Sequence, residues 1–131
     1  LNKYGQTAVK AVQQLQVNEG WTPLYAWNEV ANETFGVGTA AQKKGCPKNA
    51  FLGLCEDGLV QGVVQGIYAE RSGSQKNKNY AIQAVQILRD KPELAGDKLE
   101  LWREVMNGVE MSHNSQMDVV LSLWNNNFII R

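Results

Sequence analysis

A cysteine stands among three lysines in Lys43-Lys44-Gly45-Cys46-Pro47-Lys48, at what reads as the start of a helix. Positive potential from a helix N-terminus and flanking ammonium groups stabilises a thiolate, which makes Cys46 a candidate nucleophile. Such a thiol needs a base, and the single histidine of the chain, His113, is the only imidazole that could serve. The plainer reading is that Cys46 packs as a small apolar residue beside a helix cap.

His113 opens a second constellation, Ser112-His113-Asn114-Ser115-Gln116-Met117-Asp118, just ahead of an apolar helix. Ser115 and Asp118 have the spacing of a capping box, in which each side chain accepts from the other's backbone N–H. His113, Asn114 and Gln116 are then left over, on exposed N–H groups that suit an anion or a small polar ligand. The expected site is a polar pocket gathering this helix end with the Cys46 end of another. His113, Asn114, Gln116, Cys46, Lys48 and Asn79 are its expected lining. An enzyme using Cys46 with His113 as base is the rival reading.

A third reading is a DNA-binding helix-turn-helix over residues 39–57. Ala41, Gly45 and Phe51 stand at its small, turn and apolar positions, and Lys48 and Asn49 open its second helix. That helix continues Ala50-Phe51-Leu52-Gly53-Leu54, too apolar for a groove, and Glu56 and Asp57 repel phosphate. The basic stretch Arg71 to Lys78, edged by Tyr68 and Tyr80, is expected to be a solvated loop, with a nucleic-acid strand or acidic partner as its sharper alternative. Two cysteines and one histidine cannot supply a closed zinc site, and no dinucleotide or phosphate-loop signature occurs. No metal and no cofactor are expected.

The elements that must position these residues are marked by caps and periodicity. Tyr4, Ala8, Ala11, Val12 and Leu15 make an amphipathic helical stripe closed at Gly20. Thr22-Pro23 caps and opens a second helix with Leu24, Trp27, Val30, Ala31 and Phe35 on its buried face, stopped by Gly36. A short helix is expected from Thr39 to Lys44. Cys46-Pro47 starts the next, running through Phe51 and Leu54 towards Gly58. Leu59 to Tyr68 carries Gly62 and Gly66, each costing about 1 kcal/mol in a helix, so irregular structure is expected there.

Helix resumes at about Lys78 with Ala81, Ala84, Val85 and Leu88, and Pro92 requires it to end by about Asp90. Asp97 to Glu100 forms a capping box before Leu99, Trp102, Val105 and Met106, with Gly108 as the stop. Met117, Val120, Leu121 and Trp124 make the last stripe before Asn125-Asn126-Asn127. The fold class is therefore all-α, a compact bundle of about six short helices with orthogonal or mixed packing. Residues 1–131 are read as a single helical domain. Its core is expected to hold Trp27, Val30, Phe35, Phe51, Leu54, Ala84, Val85, Leu88, Trp102, Val120, Leu121 and Trp124.

Composition narrows the function classes. Thirteen basic and thirteen acidic residues cancel, and each half of the chain is balanced, so nucleic acid is disfavoured as a partner. No apolar run approaches the roughly 20 residues of a membrane span, and no signal-peptide pattern is visible. Because the chain starts at Leu1, a few preceding residues are expected to be missing. Cys46 and Cys55 frame one helix, roughly 13 Å apart by its rise, whereas a disulfide needs Cα atoms within about 7 Å. Two free thiols point to the cytoplasm.

The phrases Cys46-Pro47-Lys48-Asn49-Ala50-Phe51-Leu52-Gly53-Leu54-Cys55-Glu56, Lys76-Asn77-Lys78-Asn79-Tyr80-Ala81 and His113-Asn114-Ser115-Gln116-Met117-Asp118-Val119-Val120 together resemble a family of small bacterial proteins known only as a domain of unknown function. Similar proteins are carried in mobile gene cassettes. The likeness runs over roughly residues 20–125 and implies a bacterial cytoplasmic protein with an accessory role, without supplying a catalytic residue. Taken together, the residues point to a small helical binding or interaction module, with a small polar ligand or a protein as partner.

Overall fold

The computed structural model describes residues 2–70 and 75–131. Helices cover 67 % of the chain, more than the half that the capped segments require. They are α1 (Lys3–Val17), α2 (Pro23–Phe35), α3 (Ala40–Lys43), α4 (Gly45–Glu56), α5 (Gln75–Asp90), α6 (Lys98–Met106) and α7 (Gln116–Asn125), with a 3-10 turn at Pro92–Gly96 between α5 and α6. Among the described residues the only β feature is one bridge between Val60 and Ile129. None of these helices is long and apolar enough to cross a membrane.

Local chemistry explains most of the boundaries. Asn2 accepts from the N–H groups of Tyr4 and Gly5 to start α1, and Thr22 accepts from Tyr25 with Pro23 in the first turn of α2. Asp97 accepts from the Glu100 N–H at the head of α6. The reciprocal half of that box is missing, because the Glu100 carboxylate is taken by Arg103 one turn later. At α4 no side chain caps the start: Lys44 ends α3 and begins α4, and its ammonium lies over the Tyr4 ring instead.

Two helices run through the interior. Every residue of α7 from Gln116 to Trp124 is buried, and so is every residue of α4 from Ala50 to Glu56. A helix apolar on all sides belongs inside a bundle rather than on its surface. Around this pair, α4 packs on α5, α7 and α2, α1 packs on α2 and α7, and α6 packs on α5 and α7. Trp27 of α2 and Phe51 of α4 stack at 5.2 Å between ring centres. Of the expected core, only Phe35 is half-buried; it sits at the bundle edge with its ring 4.7 Å from that of Tyr4.

Helices α4 and α5 approach closely at Gly53. A Cβ on Gly53 would stand 2.5 Å from Lys78 Cβ and 2.7 Å from Lys78 Cα. Backbone cannot yield as a flexible side-chain tip can, so this glycine is present for contact rather than for conformation. Gly53→Ala is expected to lower stability by about 1–3 kcal/mol through overpacking, although alanine is the better helix former by about 1 kcal/mol. Urea unfolding measures the difference, and an unchanged midpoint contradicts the close contact.

Candidate functional site

Helix α6 spreads apolar residues over a wide arc. Leu101 and Val105 face the core, and Trp102 and Met106 are buried at its edge. Leu99, expected on the buried stripe, is 60 % exposed. It shares a second face with Trp102, Arg103 and Met106, at helical spacings of three and four residues. Asn107 in the left-handed conformation (φ 47°) and Gly108 (φ 95°) then end the helix and turn the chain back. The Trp102 indole N–H donates to the Met111 carbonyl at 2.6 Å and fastens the returning segment over α6.

Between the second face of α6 and residues 109–113 lies a groove of about 620 Å³, lined by Leu99, Trp102, Arg103, Met106, Val109, Glu110, Met111, Ser112 and His113. His113 packs edge-on to Trp102 at 6.4 Å, and Tyr80 of α5 packs edge-on to the same indole at 5.3 Å. His113 Nδ1 is buried and has no hydrogen-bond partner among the described residues. A buried polar atom without a partner is uncommon in a folded protein and calls for an explanation. The groove is amphipathic rather than polar, with apolar side chains along its length and Arg103, Glu110 and His113 at its margins.

The other residues expected at the site lie elsewhere or are committed. Cys46, Lys48 and Asn79 do not line this groove. Cys46 is half-buried, Lys48 pairs with Glu70 at 2.9 Å, and Asn79 is exposed on α5. Asn77, two positions earlier, is the residue of α5 that reaches the segment: its Oδ1 accepts from Gln116 Nε2 at 3.0 Å. Gln116 Oε1 in turn accepts from the Asn114 N–H at 2.5 Å, so this amide, 2 % exposed, ties the entering loop to α5.

The expected capping box at Ser115 and Asp118 does not form. Ser115 adopts the left-handed conformation (φ 67°) and its side chain makes no cap bond. The Asp118 carboxylate turns instead to Lys98, whose Nζ lies 3.1 Å from Oδ1. The helix-turn-helix reading also loses its surface, because Ala50, Phe51 and Leu52 are completely buried. In the segment expected as a basic loop, Arg71 to Ser74 lie outside the described residues, while Gln75 to Lys78 form the first turn of α5. The two tyrosines at its edges are engaged, Tyr80 with Trp102 and Tyr68 through a hydroxyl bond to the Val64 carbonyl.

Sequence reasoning missed the role of Glu56, which it used only as a charge that repels phosphate. Its carboxylate is buried and accepts from the N–H groups of Tyr68 and Ala69, each at 2.8 Å, and from Lys78 Nζ at 3.0 Å. The signal was present: a charged residue closing the apolar run Ala50 to Cys55, followed by a glycine-rich stretch whose amides need acceptors. Its neighbour Cys55 is fully buried, and burial together with Glu56 pushes the thiol pKa well up, which makes that sulfur inert.

Comparison with known families adds one finding. The model of DUF6979, described as a family of unknown function, matches residues 1–130. The chain belongs to the DUF6979 family. No curated protein and no solved structure matches it. The DUF6979 match spans nearly the whole chain, so α6, the returning segment and the groove between them all lie inside the family's extent. The function of a DUF6979 protein therefore has to be argued from the geometry of its sites.

Proposed function

We propose that this helical module binds a small molecule in the groove between α6 and residues 109–113. The observation that carries the reading is the buried, unpartnered His113 Nδ1 in the wall of a 620 Å³ groove that the Trp102 ring also lines. That volume lies within the usual 300–1,000 Å³ or so of small-ligand sites, which pair an apolar lining with a few placed polar groups. The fitting ligand has a flat or chain-like apolar body against Leu99, Trp102, Met106 and Met111. It carries one hydrogen-bonding group for His113 and a polar end near Arg103. Nothing in this arrangement asks for a bond to be made or broken; it binds.

Two free cysteines favour a reducing compartment such as the cytoplasm as the place of action. The exposed rim residues Leu99, Val109 and Met111 support a second reading, in which an apolar segment of a protein partner fills the same groove.

A thermal-shift screen with a metabolite library tests the proposal. A ligand at about 100 times its Kd raises stability by about 2.7 kcal/mol. The expected hits carry a ring or chain with one polar group, and they lose most of their shift in His113→Ala. Hits that stabilise parent and His113→Ala equally would place the site elsewhere.

A further inference from the structure

A second cavity, of about 330 Å³, opens where the residue before α1, the 3-10 turn, the head of α6 and one face of α7 from Asp118 to Asn125 meet. Its polar lining is Asn2, Lys98, Asp118, Ser122, Asn125 and Asn126. The Asp118 side chain is 9 % exposed, and only one of its two oxygens is satisfied. Oδ1 receives Lys98 Nζ, while Oδ2 is buried with no hydrogen-bond partner among the described residues. A carboxylate oxygen only accepts, so the missing partner is a donor.

Two exposed amides at the rim add acceptors. Asn125 Nδ2 donates to the Ala95 carbonyl at 3.3 Å and Asn126 Nδ2 donates to the Ser122 carbonyl at 2.7 Å. With their NH2 groups directed at backbone, both side chains offer carbonyl oxygens. Asn2 Oδ1 caps α1, which leaves its NH2 as the complementary donor. The charge of the ligand is constrained as well. Lys98 already neutralises Asp118, so a cation would meet the ammonium and an anion would meet the carboxylate.

We infer that this cavity is a second ligand site and that it takes a small neutral molecule rich in hydroxyl groups, of monosaccharide or cyclic polyol size. One ligand hydroxyl donates to Asp118 Oδ2 and others donate to Asn125 and Asn126, while Asn2 donates back to a ligand oxygen. The cavity shares no lining residue with the His113 groove, so its test is independent of the reading given above.

The test is titration of the full chain with glucose and with myo-inositol, followed by the side-chain NH2 resonances of Asn125 and Asn126. Glucosamine and gluconate serve as cationic and anionic counterparts. Saturable shifts are expected with a neutral polyol, and binding at least about tenfold weaker for both charged counterparts, the equivalent of one lost hydrogen bond. Asn125→Leu closes the exposed rim without touching the Asp118–Lys98 pair, and it should abolish the shifts while the protein stays folded. Asp118→Asn should weaken binding about tenfold or more, because an amide replaces one acceptor oxygen. Absence of saturable shifts with either polyol up to about 0.1 M, well beyond millimolar affinity, overturns the proposal. So does equal binding of the charged counterparts, or binding that survives in Asn125→Leu.

Discussion

Trp27→Ala is expected to destabilise the protein by about 3–5 kcal/mol, the usual cost of removing a buried tryptophan. The ring is 1 % exposed and joins α2 to the interior helix α4 through its contact with Phe51. Ala26, Val30, Ala50 and Leu54 are buried in the same core, so the lost ring leaves a cavity among packed side chains. Against a total stability of about 5–15 kcal/mol for a protein of this kind, the loss is a large fraction. At about 4 °C per kcal/mol it lowers the melting temperature by some 10–20 °C. Calorimetry reads it directly, and a shift of only a few degrees contradicts the packing of α2 on α4.

Glu56→Gln is the second large effect, about 3 kcal/mol at neutral pH, since it weakens three charge-assisted hydrogen bonds at once and leaves Lys78 without its counter-charge. The carboxylate is 7 % exposed, and it fastens residues 68 and 69 to the end of α4. Burial on its own would raise the Glu56 pKa. The amides of Ala69 and Tyr68 and the Lys78 ammonium outweigh burial and hold it below the ordinary value. A depressed carboxylate contributes its full stability above the unfolded-state value, about 4.3, and loses it as pH falls through the lower folded-state value. The gap between parent and Glu56→Gln should therefore be widest at neutral pH and shrink below about pH 4. Denaturant curves at several pH values test this; a gap that stays constant or grows towards acid contradicts the network.

The helical frame was legible because its signals are local. Thr22-Pro23, Asp97 and the stops at Gly36 and Gly108 act within one turn of themselves, and the stripes of α2, α5 and α7 repeat at the helical period. What was not legible depends on partners far along the chain. Ser115 and Asp118 have capping-box spacing, yet Asp118 pairs with Lys98, 20 residues away. Leu99 matches the stripe of α6, but an α6 arc wider than the core can cover leaves it facing outward. Glu56 gains its role only when the glycine-rich stretch after α4 folds back to bring the amides of Tyr68 and Ala69.

The candidate site divides in the same way. His113 drew attention as a residue without a local task, and its own stretch of sequence gives Nδ1 no partner. The companions expected for it, Cys46, Lys48 and Asn79, do not line this groove. Cys46 and Lys48 attracted attention as a thiol beside cations, whereas the groove is completed by Trp102, Met106 and Met111, which look like ordinary core from sequence alone. A helix with more apolar face than the core needs is the clue to look for, combined with a left-handed stop that sends the chain back across it.

The most direct measurement of the central claim uses the four tryptophan indoles as reporters in a ¹H–¹⁵N correlation spectrum. Only the Trp102 indole lies in the groove, with its N–H bonded to the Met111 carbonyl. A molecule selected by the thermal screen should move the Trp102 signal in a saturable manner and leave Trp27, at 1 % exposure, and Trp124 in place. Stabilising molecules that shift the other indoles while the Trp102 resonance stays fixed would contradict the claim that this groove is the binding site.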